Sequence, residues 1–498
     1  MIKPLDRYIK LGLLTLLVGH LIAAYTSFGY HHPDEHFQIL EWARYFIGMS
    51  KDASQLPWEF AAQIRPWFQP ILHAVFLKSF VLLGIYNPFS AAFFFRLVYA
   101  ALNIWSLIAL WKYFQEKYSL SSKWFFLLSL TWFFPYIHVR TSSENLAGIF
   151  LSFALLALVK NINSFRTFFF AGLLFGFAFL ARYQIALGLV GLALVLLIGD
   201  RGIRQKHWLL LLGFLVPVGL GVFLDRIGYG NWVFTPYQYF KVNLVDHVAD
   251  KYNPYPWYQY FLWIAQLNPF ISLPLFYGVL GFSFQNLKKN KLDLFAAFTM
   301  SFFILHCFIT NKEYRFLFPL MNFAPFMAIA YFQSTESTVF SKFEAWMKKV
   351  FWVPAFFTFY ILLNIVSFCV STLHGASTQT HWAVHAVYHA FRDYPNTVWL
   401  SNRDYLEGGQ QFYNLNDVAD FQPHELHVYH NSDELIALKQ QFPNANVLID
   451  GNLRDPAIYG VMSVIEGSNC KVISRAFPKI LSEKAKIPYQ VLYHCEKG

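Results

Sequence analysis

Four short stretches of this chain carry residue types able to do chemistry. The first is His31-His32-Pro33-Asp34-Glu35. Pro33 suits the first turn of a helix, which sets Asp34 and Glu35 beside the positive end of the helix dipole. Read structurally, this is a helix start with well-placed charge. Read chemically, it is a carboxylate base able to deprotonate a hydroxyl, with His32 beside it. Two acids flanked by imidazoles are a weak metal signature, and no metal or other cofactor is expected. The second stretch, Arg140-Thr141-Ser142-Ser143-Glu144, spaces Arg140 and Glu144 for a pair across one helical turn. In the third, Ala181-Arg182-Tyr183, Arg182 ends an apolar run as an interfacial anchor or a holder of phosphate. The fourth, Asn311-Lys312-Glu313-Tyr314-Arg315-Phe316, either satisfies its own charges or offers two cations to a diphosphate or phosphodiester.

A longer segment adds Asp225-Arg226 through Gly230-Asn231-Trp232, then Tyr237-Gln238-Tyr239-Phe240, then Asn253 to Trp257. Aromatics beside amides and acids bind sugar faces and lipid headgroups, and they equally form interfacial belts. Tyr237 and Trp257 are the candidate substrate contacts here. His381, His385 and His389 recur at i, i+4 and i+8 and share one helix face. No acid is placed to complete a zinc site with them, so they are read as solvent-facing or packing residues.

The elements that must position these groups are apolar. Of 498 residues, 56% are hydrophobic and only 14% charged, against about 25% charged in a soluble chain. Apolar runs of about 17–23 residues recur from Leu11 to Val370, each long enough to cross a hydrocarbon core of about 30 Å. This excludes a cytosolic enzyme, a disordered chain and a secreted disulfide scaffold. No basic stripe with interleaved aromatics appears, so nucleic acid is not expected as a partner. The net charge of +10 is uneven: residues 371–498 hold 10 Lys/Arg against 13 Asp/Glu. The remaining positive excess lies in short loops between apolar runs.

Placing those loops in the cytoplasm orients the chain. The first run, roughly Tyr8 to Phe28, follows Lys3, Arg7 and Lys10 and reads as a retained helix with its N-terminus inside. Further spans at roughly 92–111, 124–138, 144–160, 166–182, 184–199, 207–224, 268–284, 292–310, 316–333 and 350–372 then satisfy every cationic loop. They do so only if the stretch from about Trp67 to Tyr86 lies along the membrane rather than across it. The expected architecture is therefore an all-α polytopic membrane protein with about eleven transmembrane helices. Residues 1–372 form the membrane domain, with a first outer loop at about 29–91. From residue 373 the character changes. Runs such as Thr397–Ser401, Asn446–Asp450 and Tyr489–His494 read as strands, and Asp433–Phe442 reads as a helix, giving a small extracytoplasmic α/β domain over 373–498. Cys470 and Cys495 lie in it, and an outside location permits a bridge between them.

Taken together, the motifs resemble glycosyltransferase family 22, the lipid-phosphate-mannose-dependent mannosyltransferases of GPI-anchor and N-glycan assembly. His32-Pro33-Asp34-Glu35 with Gln38 and Glu41 is similar to the family's first-loop motif, and Arg140-Thr141 with Glu144 to its second. Asp225-Arg226 through Trp232, with Tyr239-Phe240 and Asn243, resembles its aromatic loop. Lys312-Glu313-Tyr314-Arg315-Phe316-Leu317-Phe318-Pro319 is similar to its HKE-x-RF-x-x-P signature. Asn311 departs from the pattern, standing where the family has His. The nearest subgroup is the GPI mannosyltransferases.

The resemblance implies a GT-C fold and an inverting, metal-independent transfer from a polyprenyl- or dolichyl-phosphate mannose. Asp34 then fits the proposed general base, with Glu35 and Glu144 supporting it or holding acceptor hydroxyls. Charge logic adds Arg182, Lys312 and Arg315 as groups for the leaving phosphate, with Arg140 and Glu313 beside them. The acceptor is expected to be a glycan or glycolipid. No Asn-x-Ser/Thr sequon occurs, so a bacterial inner membrane is the expected address, with the endoplasmic reticulum membrane if the source is eukaryotic. Two other readings stay open: a GT-C transferase of another lipid-linked sugar, and a transporter of lipid-linked saccharides.

Overall fold

The computed structural model describes residues 6–27, 29–49, 53, 56–84, 87–162, 164–198, 206–288, 293–334, 354–372, 394, 397–402, 426–451, 453, 455–475 and 489–497. His381, His385 and His389 lie outside them. Two compact units are present. Met1–Thr26, Trp58–Leu72 and Phe93–Leu373 make up the first, and Ser27–Pro57, His73–Ala92 and His374–Gly498 the second.

The first unit is helical. The chain runs α1 (Arg7–Thr26), then, in the second unit, α2 (Pro33–Glu35), a π-turn His36–Leu40 and α3 (Glu41–Phe46), then α4 (Trp58–Ala61) and α5 (Phe68–Leu82). There follow α6 (Pro88–Tyr118), α7 (Ser122–Ser129), α8 (Phe133–His138), α9 (Ser143–Lys160), α10 (Phe165–Ala181), α11 (Ile185–Ile198) and α12 (His207–Tyr229). After a long connection holding α13 (Thr235–Phe240) and α14 (Gln259–Gln266) come α15 (Pro269–Lys288), α16 (Leu294–Phe308), α17 (Phe318–Met321), α18 (Ala324–Gln333) and α19 (Pro354–Thr372).

Helix is the solution that hydrocarbon imposes, because only a helix or a closed barrel satisfies every backbone N–H and C=O without water. Among the described residues five helices are long and apolar enough to cross a membrane, and six if the bent pair Tyr314–Met321 and Ala324–Gln333 counts as one span. The chain is a multi-pass membrane protein. The stretch expected to lie along the membrane contains α5, which belongs with α10, α11 and α16 among the apolar helices of 10–17 residues, so length does not separate it from the expected spans.

Two expected helices are broken, each at a proline. The run expected at 124–138 divides into α7 and α8 because Pro135 sits in the first turn of α8. A proline ring excludes a helical carbonyl four residues earlier. The interruption is stabilised from α19: Asn364 Oδ1 accepts the Trp132 N–H at 3.0 Å, and Tyr360 OH lies 3.3 Å from Thr131 Oγ1. The run expected at 316–333 bends by 61°, with Pro325 opening α18.

Packing in this unit relies on small residues that let backbones meet. A Cβ at Gly172 of α10 would run into the Leu210 carbonyl of α12, and one at Gly213 into the Phe169 carbonyl. Around this crossing a core of Phe, Leu and Ala side chains, including Phe114, Phe168, Phe175 and Phe298, is fully buried.

The C-terminal part of the second unit holds a five-stranded sheet in the order β2-β1-β3-β5-β4. Its strands are β1 (Val398–Ser401), β2 (Leu426–Val428), β3 (Ala445–Gly451), β4 (Cys470–Arg475) and β5 (Tyr489–Cys495), with α20 (Ser432–Gln441) and α21 (Pro456–Glu466) between them. β1 pairs parallel to β2 and β3, and β5 antiparallel to β3 and β4. Ala445, Val447 and Ile449 of β3 and Val491 and Tyr493 of β5 form one face of the core, with Ile458, Val461, Met462 and Ile465 of α21 in the same cluster. Cys470 and Cys495, opposite each other in register, are bridged.

Candidate active site

In the second unit, the chain enters α2 through His32, whose Nδ1 accepts the Asp34 N–H at 3.2 Å as a side-chain cap. A ring nitrogen that accepts this N–H cannot also donate to Asp34 Oδ1, 3.4 Å away. The two carboxylates of the motif are placed differently. Asp34 keeps 20% of its side chain exposed, whereas Glu35 is 4% exposed and accepts the His31 backbone N–H. Asp34 is thus the acid that a hydroxyl can reach, and Glu35 fixes the turn.

The π-turn that follows has a consequence for residue pairing. It brings residues five apart into register, so His36 Nε2 meets Glu41 Oε1 at 2.9 Å. The other Glu41 oxygen receives Arg44 Nη1 at 2.7 Å, and Arg44 also donates to the Met49 carbonyl. All three side chains are buried. Glu41 entered the sequence reading only as a motif position. His36 and Arg44 were not singled out, although Glu41 and Arg44 at i, i+3 on an apolar stretch were a usable signal.

The first unit assembles the second, third and fourth motifs around Glu144. Ser142 caps α9 by accepting the Asn145 N–H, and Asn145 Nδ2 holds the Arg140 carbonyl at 2.7 Å. This sets the fully buried Glu144 in the first turn of the helix. Its Oε1 receives Arg182 Nη2 at 3.2 Å and Arg315 Nη1 at 3.0 Å. Arg182 ends α10, and its Nη1 donates to Ser143 Oγ at 3.3 Å. Arg315 also donates from Nε to Glu313 Oε2 at 2.5 Å. Both guanidinium groups lie over the Phe316 ring, at 4.9 and 5.4 Å from its centroid. Residues of the third and fourth motifs therefore converge on one carboxylate of the second. Arg140 directs Nε to the Tyr136 carbonyl and stacks on the Tyr136 ring at 5.3 Å.

Lys312 is buried, and its ammonium donates to the carbonyls of Tyr255, at 3.1 Å, and Ile309. Its loop is zipped to residues 253–255: Tyr255 N–H reaches Thr310 O and Lys312 N–H reaches Asn253 O. Burial pulls the Lys312 pKa below the ordinary lysine value. Backbone carbonyls hold this cation, and the buried guanidiniums of Arg182 and Arg315 beside Glu144 are groups of a kind that suits a phosphate.

Tyr237 and Trp257 are placed otherwise. Both are exposed, on α13 and just before α14. The interior side of α13 is fixed by Thr235, which donates to Asp225 Oδ2 at 2.6 Å and lies 2.6 Å from Tyr183 OH. Asp225 Oδ1 accepts the Trp67 N–H at 2.8 Å. Thr235 and Tyr183 were not legible as partners, because nothing local ties them to Asp225. Among the described residues no group of three or more His, Cys, Asp or Glu could hold a metal ion.

ArnT from Cupriavidus metallidurans shares the overall fold in two solved structures. Its apo state matches with a TM-score of 0.57 at 14% identity, over 98% of this chain and 97% of that one. Its undecaprenyl phosphate complex gives 0.56 at 12% identity, over 97% and 98%. This is the GT-C fold. The chain belongs to the Alg9-like mannosyltransferase family, which it matches over residues 11–399. It is similar to GPI alpha-1,2-mannosyltransferase 3 of Bos taurus, 25% identical over 331 residues, 64% of this chain and 57% of the relative. The Homo sapiens protein of that name is 24% identical over 330 residues (64% and 56%), and GPI mannosyltransferase 3 of Drosophila melanogaster 25% over 319 (62% and 54%). The chain thus spans little more than half the length of the curated relatives it matches.

Proposed function

We propose that this protein is an inverting mannosyltransferase that moves mannose from a polyprenyl-phosphate mannose to a hydroxyl of a glycan or glycolipid on the extracytoplasmic side. The observation that carries the reading is the family match over residues 11–399, which contains every proposed site residue. Asp34 takes the proton of the acceptor hydroxyl as its oxygen attacks the anomeric carbon. The bond from that carbon to the phosphate oxygen breaks, and the sugar inverts once, so no covalent sugar–enzyme intermediate forms. Arg182, Lys312 and Arg315 supply positive charge for the departing phosphate, an electrostatic contribution of about 3–4 kcal/mol for a well-placed group. Glu144 and Glu313 hold the two guanidiniums in place, while His32 and Glu35 shape the turn that presents Asp34. Tyr237 and Trp257 stand outside this assignment.

The same reading carries a topology of about eleven spans. The membrane domain is residues 1–372, and an α/β domain at 373–498 lies on the extracytoplasmic face. A bridge between Cys470 and Cys495 supports that side, because disulfides persist in oxidising compartments. The preferred membrane is a bacterial inner membrane, where the acceptor would be a glycolipid or glycan other than a GPI precursor.

The test is mannosyl transfer in proteoliposomes, with polyprenyl-phosphate mannose against nucleotide-activated mannose and with donor hydrolysis also read. Turnover is expected only with the lipid donor, and Asp34→Asn is expected to lower it by about 10²–10⁴, the usual contribution of a general base. Full turnover by Asp34→Asn removes Asp34 from the role. Failure of the intact protein on a panel of lipid-linked sugars removes the transferase reading and favours transport.

A further inference from the structure

His306 is a buried imidazole of the helical unit that the proposed chemistry does not use. It stands in the last turn of α16 and is 1% exposed. Its Nδ1 lies 2.8 Å from the Phe302 carbonyl one turn earlier. A carbonyl only accepts, so Nδ1 carries the hydrogen, and the neutral ring keeps its lone pair at Nε2. That Nε2 is buried without a hydrogen-bond partner among the described residues.

The imidazole borders the cations of the site. Its ring centroid is 6.3 Å from that of Phe316, the ring over which Arg182 and Arg315 lie at 4.9 and 5.4 Å. Its backbone carbonyl accepts the Ile309 N–H at 3.3 Å, and the Ile309 carbonyl in turn holds the Lys312 ammonium. Arg182 and Lys312 are near enough for their charges to act on the ring. A proton at Nε2 would add a further positive charge beside Arg182, Lys312 and Arg315, while Glu144 and Glu313 already answer the guanidiniums. Arg182 shows the complementary feature. It gives Nη1 to Ser143 and Nη2 to Glu144, yet its Nε–H is buried without an acceptor among the described residues. A buried acceptor and a buried donor thus flank one phenyl ring, each unpaired where such groups are ordinarily paired.

We infer that His306 Nε2 and Arg182 Nε bind one hydroxyl of the sugar carried on the lipid phosphate, the hydroxyl donating its hydrogen to His306 and accepting one from Arg182. The inference rests on the reading of Arg182, Lys312 and Arg315 as the groups that meet the phosphate. Hydrogen-bond polarity selects the ligand group. The oxygens of a phosphodiester only accept, and against His306 they would set lone pair against lone pair. A polyprenyl chain offers no polar hydrogen. A hydroxyl is donor and acceptor at once, and the sugar joined to that phosphate carries several. His306 therefore reads the sugar where its cationic neighbours read the phosphate. A sugar lacking that hydroxyl leaves both protein groups unpaired, which makes His306 a specificity-determining residue.

The test is retention of radiolabelled lipid by the immobilised full chain in detergent, without acceptor, for wild type, His306→Phe and His306→Gln. The ligands are polyprenyl phosphate, polyprenyl-phosphate mannose and the monodeoxy analogues of that mannose lipid. Wild type is expected to bind one monodeoxy lipid about 10- to 100-fold more weakly than the mannose lipid, the effect of leaving buried polar groups unpaired. In His306→Phe the mannose lipid is expected to fall to the level of that deoxy lipid, with polyprenyl phosphate bound as by wild type. Glutamine keeps an acceptor and is expected to restore part of the difference. Discrimination that persists in His306→Phe, or its absence in wild type, overturns the proposal and leaves a buried water as the partner of both groups. Loss of polyprenyl phosphate itself in His306→Phe also overturns it, assigning the imidazole to the phosphate or to the fold. Failure of the wild-type protein to bind polyprenyl phosphate overturns the phosphate reading, and this proposal with it.

Discussion

Within the first-loop motif the two neighbouring acids differ in burial: Asp34 keeps part of its side chain exposed, and Glu35 is buried. Glu35 accepts the His31 N–H, and glutamine retains an acceptor oxygen for it. Glu35→Gln is therefore expected to keep most mannosyl transfer where Asp34→Asn loses it, with the lipid-donor assay separating the two. Glu144 makes the opposite demand. Its carboxylate answers two guanidiniums at full burial, and breaking a buried pair from one side costs about 3–5 kcal/mol because charge is left uncompensated. Glu144→Gln is expected to lower the thermal unfolding midpoint in detergent as well as activity. A variant with wild-type stability would show that Arg182 and Arg315 do not need it.

At the scale of elements, the helices owe their contacts to what they lack. Gly172 and Gly213 bring the backbones of α10 and α12 together where any Cβ would collide with a carbonyl. Overpacking of this kind costs about 1–3 kcal/mol even where neighbours can shift, and a helix backbone shifts little. Gly172→Val is expected to reduce the folded, monodisperse fraction on size exclusion and to lower its melting temperature. Gly219→Val, on the partner helix α12 but with open space around its Cβ, is the control and is expected to leave both unchanged. The breaks in the helices lie near a buried polar contact: Pro135 and Pro325 sit in the first turns of α8 and α18, close to His138 and Asn322, whose side chains meet at 2.9 Å.

For the whole molecule, the cysteines report on sidedness. Of four, Cys307 and Cys369 are free and Cys470 and Cys495 are bridged. Protein denatured directly from its native membrane is expected to take up two maleimide–polyethylene glycol adducts, and four after reduction. Four adducts without reduction would place the tail in a reducing compartment and end the eleven-span topology.

The sequence by itself determined the long apolar helices and most of their limits. Apolar runs and their bounding charges are local, and a membrane turns each run into helix because nothing else satisfies its backbone. Strands at 398–401, 445–451 and 489–495 were legible for a related reason, since β-branched and aromatic runs between turn residues are short-range signals. Arg182 and Arg315 stood out as charges at the ends of apolar runs, where a charge needs a partner. Which partner it finds was decided only by the tertiary structure. Glu144 lies 171 residues from Arg315, and neither periodicity nor spacing encodes a contact of that separation. It follows instead from how α9, α10 and the loop after α16 stack. The same holds for Asp34 and Glu35: their order in the chain is indifferent to burial, and the turn capped by His32 is what leaves one acid open and closes the other.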